Sequence, residues 1–142
     1  MFSKKESKLL REQFWISFGK SFPRKWRLYQ TGIKGFVLKF HFDLHKAMVS
    51  LDIEDLAEEK REALWDKLVS LKSILINDYL PGATYDSAYA LENNKRIARI
   101  HVQKEGVCIH DKDTWEEAMV FLREKMELME SFFDDYREYL LP

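Results

Sequence analysis

The sequence predicts a single α+β domain over residues 1–142, an antiparallel sheet of about five to six strands with three helices packed on one face. Apolar and polar residues alternate with period two from 35 to 54, a pattern typical of a hairpin with one covered face. Segments at the start, middle and end of the chain repeat apolar residues at helical spacing. No linker rich in Pro, Gly or Ser divides the chain, so we expect one domain in the order α-β-β-β-α-β-β-β-α.

The first half of the chain is expected to contain one helix and three strands. The helix covers 4–20, where apolar residues recur every three or four positions and Pro23 follows the end. A short strand is expected at 25–30. The clearest strands are 35–42 and 46–54, and the short connection between them predicts a hairpin.

The second half is expected to contain two helices around three strands. A leucine-rich stripe predicts a helix over 55–79, ended by a Pro-Gly pair. Strands are expected at 84–90, 95–103 and 107–110. A broad apolar stripe predicts the last helix over 114–139.

Charge is divided unevenly along the chain. Residues 1–46 carry eleven Lys or Arg against three acids, a net charge of +8, whereas residues 47–142 carry twelve against twenty-one, a net charge of −9. A single cysteine excludes an internal disulfide. The sequence shows no signal peptide and no apolar run of about 18 residues, so we expect a cytoplasmic protein with no membrane partner.

The basic N-terminal third is the first candidate for function. Cations interleaved with aromatic rings can contact phosphates and stack bases. The predicted nucleic-acid-binding residues are Arg24, Lys25, Trp26, Arg27, Lys34 and Lys39. The alternative is that these cations pair with acids of the second and last helices within the same fold.

The polar side of the predicted sheet is the second candidate. Period-two alternation places His41, Asp52, Arg99 and His101 on that side, where they would meet if their strands are neighbours. Such a cluster could form a degenerate nuclease or metal-dependent hydrolase site. The structural alternative is an ion pair between Arg99 and Asp52.

No metal site and no catalytic residue is predicted from local motifs. His41, Asp43 and His45 have metal-ligand side chains, but the segment is expected to turn there and to form an exposed hairpin end. The acid-x-Lys element of a nuclease is missing after Asp43, because neither Asp52 nor Glu54 has a lysine two positions later. No glycine-rich phosphate loop occurs, and no cofactor is expected.

Several short motifs together resemble one known family. They are Phe14-Trp15-Ile16-Ser17-Phe18-Gly19, Tyr29-x-Thr31-Gly32-Ile33-Lys34, Ala98-Arg99-Ile100 and Trp115 at the start of the last helix. In this order the chain resembles the bacterial domain of unknown function 4268, in particular its short stand-alone members. The resemblance implies an α+β build, an intracellular setting and no assigned activity. In some longer proteins a similar domain follows a nuclease-like module, which implies a link to nucleic acids or defence.

The sequence therefore favours a non-catalytic accessory or interaction module that contacts nucleic acid through its basic N-terminal third. One alternative is a protein–protein or homodimerisation module that uses the last helix, which is rich in Met and Phe. A second alternative is the hydrolase site on the polar side of the sheet.

Overall fold

The computed structural model describes residues 2–142 as one four-stranded antiparallel sheet with four helices. The helices are α1 (Lys4–Ser21), α2 (Glu58–Ser70), α3 (Lys72–Ile74) and α4 (Trp115–Leu140). The strands are β1 (Phe36–Phe42), β2 (Lys46–Ile53), β3 (Thr84–Ala90) and β4 (Arg96–Glu105). A π-helical turn, Leu75–Tyr79, extends α3, and a 3-10 turn, Lys112–Thr114, leads into α4. The predicted α+β class and the antiparallel sheet are confirmed.

The sheet consists of two hairpins joined side by side in the order β1-β2-β4-β3. Antiparallel pairing of β2 with β4 places Asp52 opposite Arg99 and Ser50 opposite His101. Within the first hairpin, Lys39 lies opposite Ser50. Because side chains alternate between faces, this register brings polar residues of three strands to one face.

The helices cover the other face of the sheet and form the core with it. Phe36, Leu38 and Leu51 from the sheet are fully buried, as are Phe14 of α1 and Phe133 of α4. Burying such side chains contributes about 1.5–3 kcal/mol each, which makes this apolar face the main source of stability. Within residues 2–142, no helix combines the length and apolar composition needed to cross a membrane.

Helix α1 begins and packs as its sequence requires. Ser3 and Glu6 form a capping box, in which the Ser3 side chain accepts from the Glu6 N–H at 3.1 Å. Phe14 then contacts the rings of Phe42 and Trp115, at centroid distances of 4.5 and 5.3 Å. The N-terminal third is therefore joined to the sheet and to α4 through aromatic contacts.

The strand predicted at 25–30 is wrong. The chain from 22 to 35 forms turns and irregular backbone beside β1, and its hydrogen bonds to that strand include one from Leu38 N–H to Leu28 O at 3.0 Å. Leu28 has a φ of +45°, which is incompatible with an extended strand. In this irregular segment Trp26 and Leu28 pack against the core, while Arg27 pairs with Asp134 of α4.

The strand predicted at 107–110 is also wrong, because local contacts satisfy its backbone. Gly106 turns the chain with a φ of +79°. Cys108 then donates its N–H to Thr114 Oγ1 and accepts from the same hydroxyl, both at 3.0 Å. Ile109 donates to Asp43 O at 3.0 Å. The sheet consequently has four strands rather than five to six.

The helix predicted over 55–79 is divided and begins later. Asp55 has a φ of +54° and cannot start a right-handed helix, so α2 begins at Glu58. At Leu71 the helix breaks, and α3 and the π-helical turn follow. Residues 2–142 therefore contain four helices where three were expected.

Candidate functional site

The side of the sheet that faces away from the helices carries a connected group of polar side chains, which we name the polar face. Its members are Lys39 and His41 from β1, Ser50 and Asp52 from β2, and Arg99 and His101 from β4. The structure thus brings together all four residues predicted for a site here, His41, Asp52, Arg99 and His101.

The centre of the polar face is an ion pair between Asp52 and Arg99. Arg99 Nε and Nη2 donate to Asp52 Oδ1 and Oδ2 at 2.7 and 2.8 Å. Both side chains are almost completely buried. Burial lowers the pKa of Arg99, but the hydrogen bonds and charge of Asp52 outweigh this effect and raise it. Arg99 therefore stays charged, as the alternative of a structural ion pair requires.

Lys39 adds a second cation at the edge of this pair. Its Nζ lies 3.0 Å from Glu54 Oε2 and 3.5 Å from Asp52 Oδ2. Burial lowers the pKa of Lys39, but the hydrogen bond to Glu54 and the charge of Asp52 raise it overall. Two cations and two carboxylates therefore balance one another, and the centre of the polar face carries no net charge.

Two histidines flank the ion pair and are held neutral. Burial and the nearby positive charge of Arg99 lower the pKa of His41 to about 4, and the same two causes lower the pKa of His101. His41 Nε2 lies 2.8 Å from Ser50 Oγ. His101 Nδ1 is buried without a hydrogen-bond partner within residues 2–142.

Strand β3 contributes residues to this face that the sequence did not predict. The Arg99 guanidinium lies 4.2 Å from the centroid of the Tyr89 ring, and that ring meets His101 edge-on at 5.6 Å. Asp86 lies opposite Arg99. The register shifts between Asp86 and Tyr89, and this irregularity removes the alternation that would have indicated which side chains share the face.

This arrangement is poorly suited to hydrolysis. Ser50 is fully buried, so its hydroxyl cannot meet a substrate. Asp52 is already committed to Arg99 and is not placed to act as a general base. The geometry is that of a charge-balanced structural layer whose rim, rather than its centre, is open to a ligand.

The candidate metal triplet does not converge. Asp43 Oδ1 accepts the backbone N–H groups of His45 and Lys46 at 2.8 and 2.9 Å, which fixes the hairpin turn. His45 is exposed, whereas His41 points to Ser50. In the part of the chain that the structure describes, no three His, Cys, Asp or Glu side chains are grouped to hold a metal ion.

The predicted basic segment is tied to α4. Arg24 Nη2 lies 2.5 Å from Glu130 Oε1, and Arg27 Nε lies 2.7 Å from Asp134 Oδ1. The second oxygen of Glu130 accepts the backbone N–H of Arg27 at 2.7 Å. Two of the six predicted nucleic-acid contacts are therefore used within the fold, as the intramolecular alternative expects.

The other four members of the predicted set lie in different surroundings. Trp26 is half-buried against Phe40, with a centroid distance of 5.4 Å, and Arg24 covers its ring. Lys39 belongs to the polar face. Lys25 and Lys34 are exposed and form no ion pair with any other described residue. Arg24, Lys25, Trp26 and Arg27 consequently line one cleft against Glu130 and Asp134, whereas Lys34 and Lys39 lie apart from it.

A groove between α1 and the edge of β1 was not predicted. It encloses about 350 Å³ and is lined by Trp15, Leu28, Tyr29, Leu38, Lys39, Phe40 and His41. We name it the aromatic groove. Period-two and helical patterns do not indicate that Trp15 and Tyr29 line one groove, because the irregular segment from 22 to 35 places Tyr29 there.

The Met- and Phe-rich stripe of α4 is occupied by the core. Met126, Met129, Phe132 and Phe133 are all fully buried. A second copy of the chain would have to contact α4 elsewhere, where Val120 and Leu128 are exposed.

The motif residues that suggested a family have structural roles here. Thr31 is buried, and its hydroxyl donates to Phe36 O at 2.6 Å. Trp115 donates its indole N–H to Ile109 O at 2.9 Å, and Arg99 holds Asp52. The motifs thus fix the turn before β1, the start of α4 and the centre of the sheet.

Comparison with known proteins supports the family resemblance that these motifs suggested. No curated protein and no solved structure matches the chain. One family model, described as Domain of unknown function (DUF4268), matches residues 10–137. Because this match covers nearly all of the chain, the protein belongs to the DUF4268 family.

Proposed function

We propose that this chain is a non-catalytic interaction module that binds single-stranded nucleic acid across the aromatic groove and the adjacent cations of α1. The observation that carries the proposal is the position of the groove, which has exposed aromatic surface inside and uncompensated positive charge beside it. Binding of single strands without sequence preference typically combines these two features.

The aromatic component is centred on Tyr29 and Trp15. Tyr29 is 68% exposed, so one surface of its ring is available for stacking on a base. Trp15 is half-buried, and it packs against Phe40 on the groove side with a centroid distance of 6.1 Å. Lys39 and His41 line the same groove and supply polar groups beside the rings.

The cationic component follows α1. Lys4, Lys8 and Arg11 are spaced i, i+4, i+7 and therefore share one side of the helix, which we name the basic row. Trp15 continues that side one turn later, so the basic row leads toward the groove. All three cations are exposed, and the one ion pair among them within residues 2–142 is a long contact of 4.0 Å from Lys8 to Glu12.

The basic residues from 24 to 27 are either paired with acids of α4 or exposed at the surface. Arg24 and Arg27 are neutralised by α4, so we assign them to stability rather than binding. Lys25 lies between these two arginines in the sequence, and its side chain is exposed and can contact a phosphate. The proposed binding surface therefore lies within the basic N-terminal third, but it is centred on α1 and the aromatic groove rather than on residues 24–27.

The test is a titration of the protein with fluorescently labelled single strands, such as dT12 and rU12, and with a duplex, at low and moderate salt. Tyr29→Ala should weaken single-strand binding by about 1–3 kcal/mol, the usual contribution of one stacked base. Replacing the basic row with Lys4→Gln, Lys8→Gln and Arg11→Gln should reduce the salt slope by about 2, because each phosphate contact contributes about 0.7.

A matched control carries the same loss of charge elsewhere, in Lys72→Gln, Lys112→Gln and Lys125→Gln. This variant should retain the affinity and the salt slope of the parent protein. Absence of binding at low salt, or an equal loss in the control, would overturn the proposal, and the charge division would then be attributed to contacts within the fold.

A further inference from the structure

A cavity beside α2 lies apart from the polar face and from the aromatic groove. It encloses about 380 Å³ and is lined by Ile33, Lys34, Asp55, Leu56, Ala57, Lys60, Ala63, Leu64, Lys67, Leu140 and Pro142. We name it the α2 cavity. Its volume is at the small end of the range of about 300–1,000 Å³ that ligand pockets occupy.

The inner surface of the α2 cavity is apolar. Ile33, Leu64 and Leu140 are buried members of the core and form its floor. Leu56, Ala57 and Ala63 complete the walls. A ligand with an aliphatic or aromatic body would remove this surface from water, which is favourable by about 25 cal/mol per Å².

The rim of the cavity is positively charged. Lys34 and Lys60 are exposed and form no ion pair with another residue of the described chain. Lys67 donates from Nζ to Leu141 O at 2.9 Å, which holds its ammonium beside the cavity. Three ammonium groups therefore surround an apolar floor.

The single side-chain carboxylate of the lining does not cancel this charge. Asp55 is engaged by Lys95 Nζ on the side of β4, and that contact lowers the pKa of Asp55. Among the lining side chains, the three lysines therefore outnumber the one carboxylate.

We infer that the α2 cavity binds a small anionic amphiphile, a carboxylate with an apolar body, with the tail on Ile33, Leu64 and Leu140 and the anion among Lys34, Lys60 and Lys67. Charge complementarity selects this class, because an anionic group can pair with Lys34 and Lys60, which form no ion pair with another described residue, beside Lys67. This inference does not rest on the proposed nucleic-acid binding. Lys34 lines the cavity and belongs to the contacts predicted from the sequence, but the proposed surface on α1 and the aromatic groove does not include it.

The experiment compares three probes with the same eight-carbon tail: octanoate, 1-octanol and octylammonium. Calorimetric titration of the full chain at low salt should give the order octanoate, then octanol, then octylammonium, from tightest to weakest. Lys34→Ala combined with Lys60→Ala should weaken octanoate binding about three- to tenfold and leave octanol unchanged, as expected when two exposed charge contacts are lost.

Two further variants complete the test. Lys72→Ala combined with Lys112→Ala removes two exposed lysines outside the cavity and should leave octanoate binding unchanged. Ala63→Trp fills the cavity from the exposed side of α2 and should abolish binding of both octanoate and octanol while circular dichroism remains that of the folded chain. Equal affinities for octanoate and octanol, or octanoate binding that survives Ala63→Trp, would overturn the inference.

Discussion

Asp52 and Arg99 face each other on the two central strands, and their side chains meet through two hydrogen bonds of 2.7 and 2.8 Å. Asp52 is fully buried and Arg99 is almost fully buried, although the hydrophobic core formed with the helices lies on the other side of the sheet. Removing two charges from water is expensive, and this pair regains that cost only because both carboxylate oxygens are satisfied. The stability of the sheet should therefore depend on keeping both partners or on replacing both.

The first prediction concerns loss of one partner. Asp52→Ala leaves the Arg99 guanidinium buried without its carboxylate, and it should lower the free energy of unfolding by about 3–5 kcal/mol. Replacing both residues with apolar side chains, as in Asp52→Leu with Arg99→Met, should recover most of that loss. Urea unfolding monitored by tryptophan fluorescence measures both values.

The control for this prediction is an exposed ion pair, Asp55 with Lys95, just beyond the ends of the same two central strands. Lys95→Ala removes the contact with Asp55, in which both side chains are largely exposed, and should cost less than about 1 kcal/mol. If Asp52→Ala costs no more than Lys95→Ala, the buried pair does not stabilise the sheet.

How far the sequence predicts this molecule depends on how local each signal is. Alternation alone places Asp52 and Arg99 on one side of their strands, and the structure confirms that they meet. By contrast, Leu28 ends the expected strand at 25–30 through its positive φ, which no apolar pattern encodes. Tyr89 was missed because the register shift in β3 disrupts its alternation.

The candidate sites likewise combine features that the sequence shows with features that depend on long-range packing. The excess of cations before residue 47 is visible in the sequence, but which of them are neutralised depends on α4, more than 100 residues later in the chain. The Glu130 carboxylate accepts hydrogen bonds from Arg24 Nη2 and from the backbone N–H of Arg27. A contact of such sequence separation follows from the packing of α4 on the sheet, and local periodicity does not report it.

The second prediction tests this contact. Glu130 is almost fully buried, and each of its oxygens accepts from a different group, Arg24 Nη2 and Arg27 N–H. Glu130→Ala should lower the free energy of unfolding by about 1–3 kcal/mol, because two partly buried donors, Arg24 Nη2 and the Arg27 N–H, lose their shared acceptor. Thermal unfolding followed by circular dichroism checks this value.

A neighbouring substitution separates this effect from a general loss of negative charge on α4. Glu127 is more exposed and lies 3.8 Å from Arg24, so Glu127→Ala should cost less than about 1 kcal/mol. Similar costs for the two variants would contradict the assigned role of Glu130 in anchoring the segment from 22 to 35.

The third prediction is a pH dependence that arises from His41. Its pKa is about 4 in the folded chain against 6.5 in the unfolded chain, because burial and the charge of Arg99 oppose protonation. Between these values the unfolded chain binds a proton that the folded chain does not, so stability falls as the pH decreases from 6.5 to 4. The loss should approach about 3 kcal/mol, and it should be absent above pH 7.

The measurement compares urea unfolding of the parent protein and of His41→Gln at pH 7 and pH 4.5. Glutamine can still bond Ser50 but does not titrate, so the variant should lose less stability on acidification than the parent does. Subtracting the two curves removes the contribution of the carboxyl groups. Parallel loss in both proteins would exclude His41 as the source of the pH dependence.

The fourth prediction concerns Gly35, at the entrance to β1. Its φ is +76°, and a Cβ at this position would lie 2.6 Å from Leu56 Cγ and against the backbone carbonyl of Glu54. Gly35→Ala therefore incurs both backbone strain, about 1–2 kcal/mol, and a steric clash that requires the end of the first hairpin to move.

Gly106 provides the matched comparison, because its φ is +79° and no described atom lies within 4 Å of an added Cβ. Gly106→Ala should show the backbone strain alone, so the difference between the two unfolding free energies isolates the clash with Leu56 and with the Glu54 carbonyl. Equal costs would mean that both neighbours move aside freely and that these contacts do not fix the position of β1.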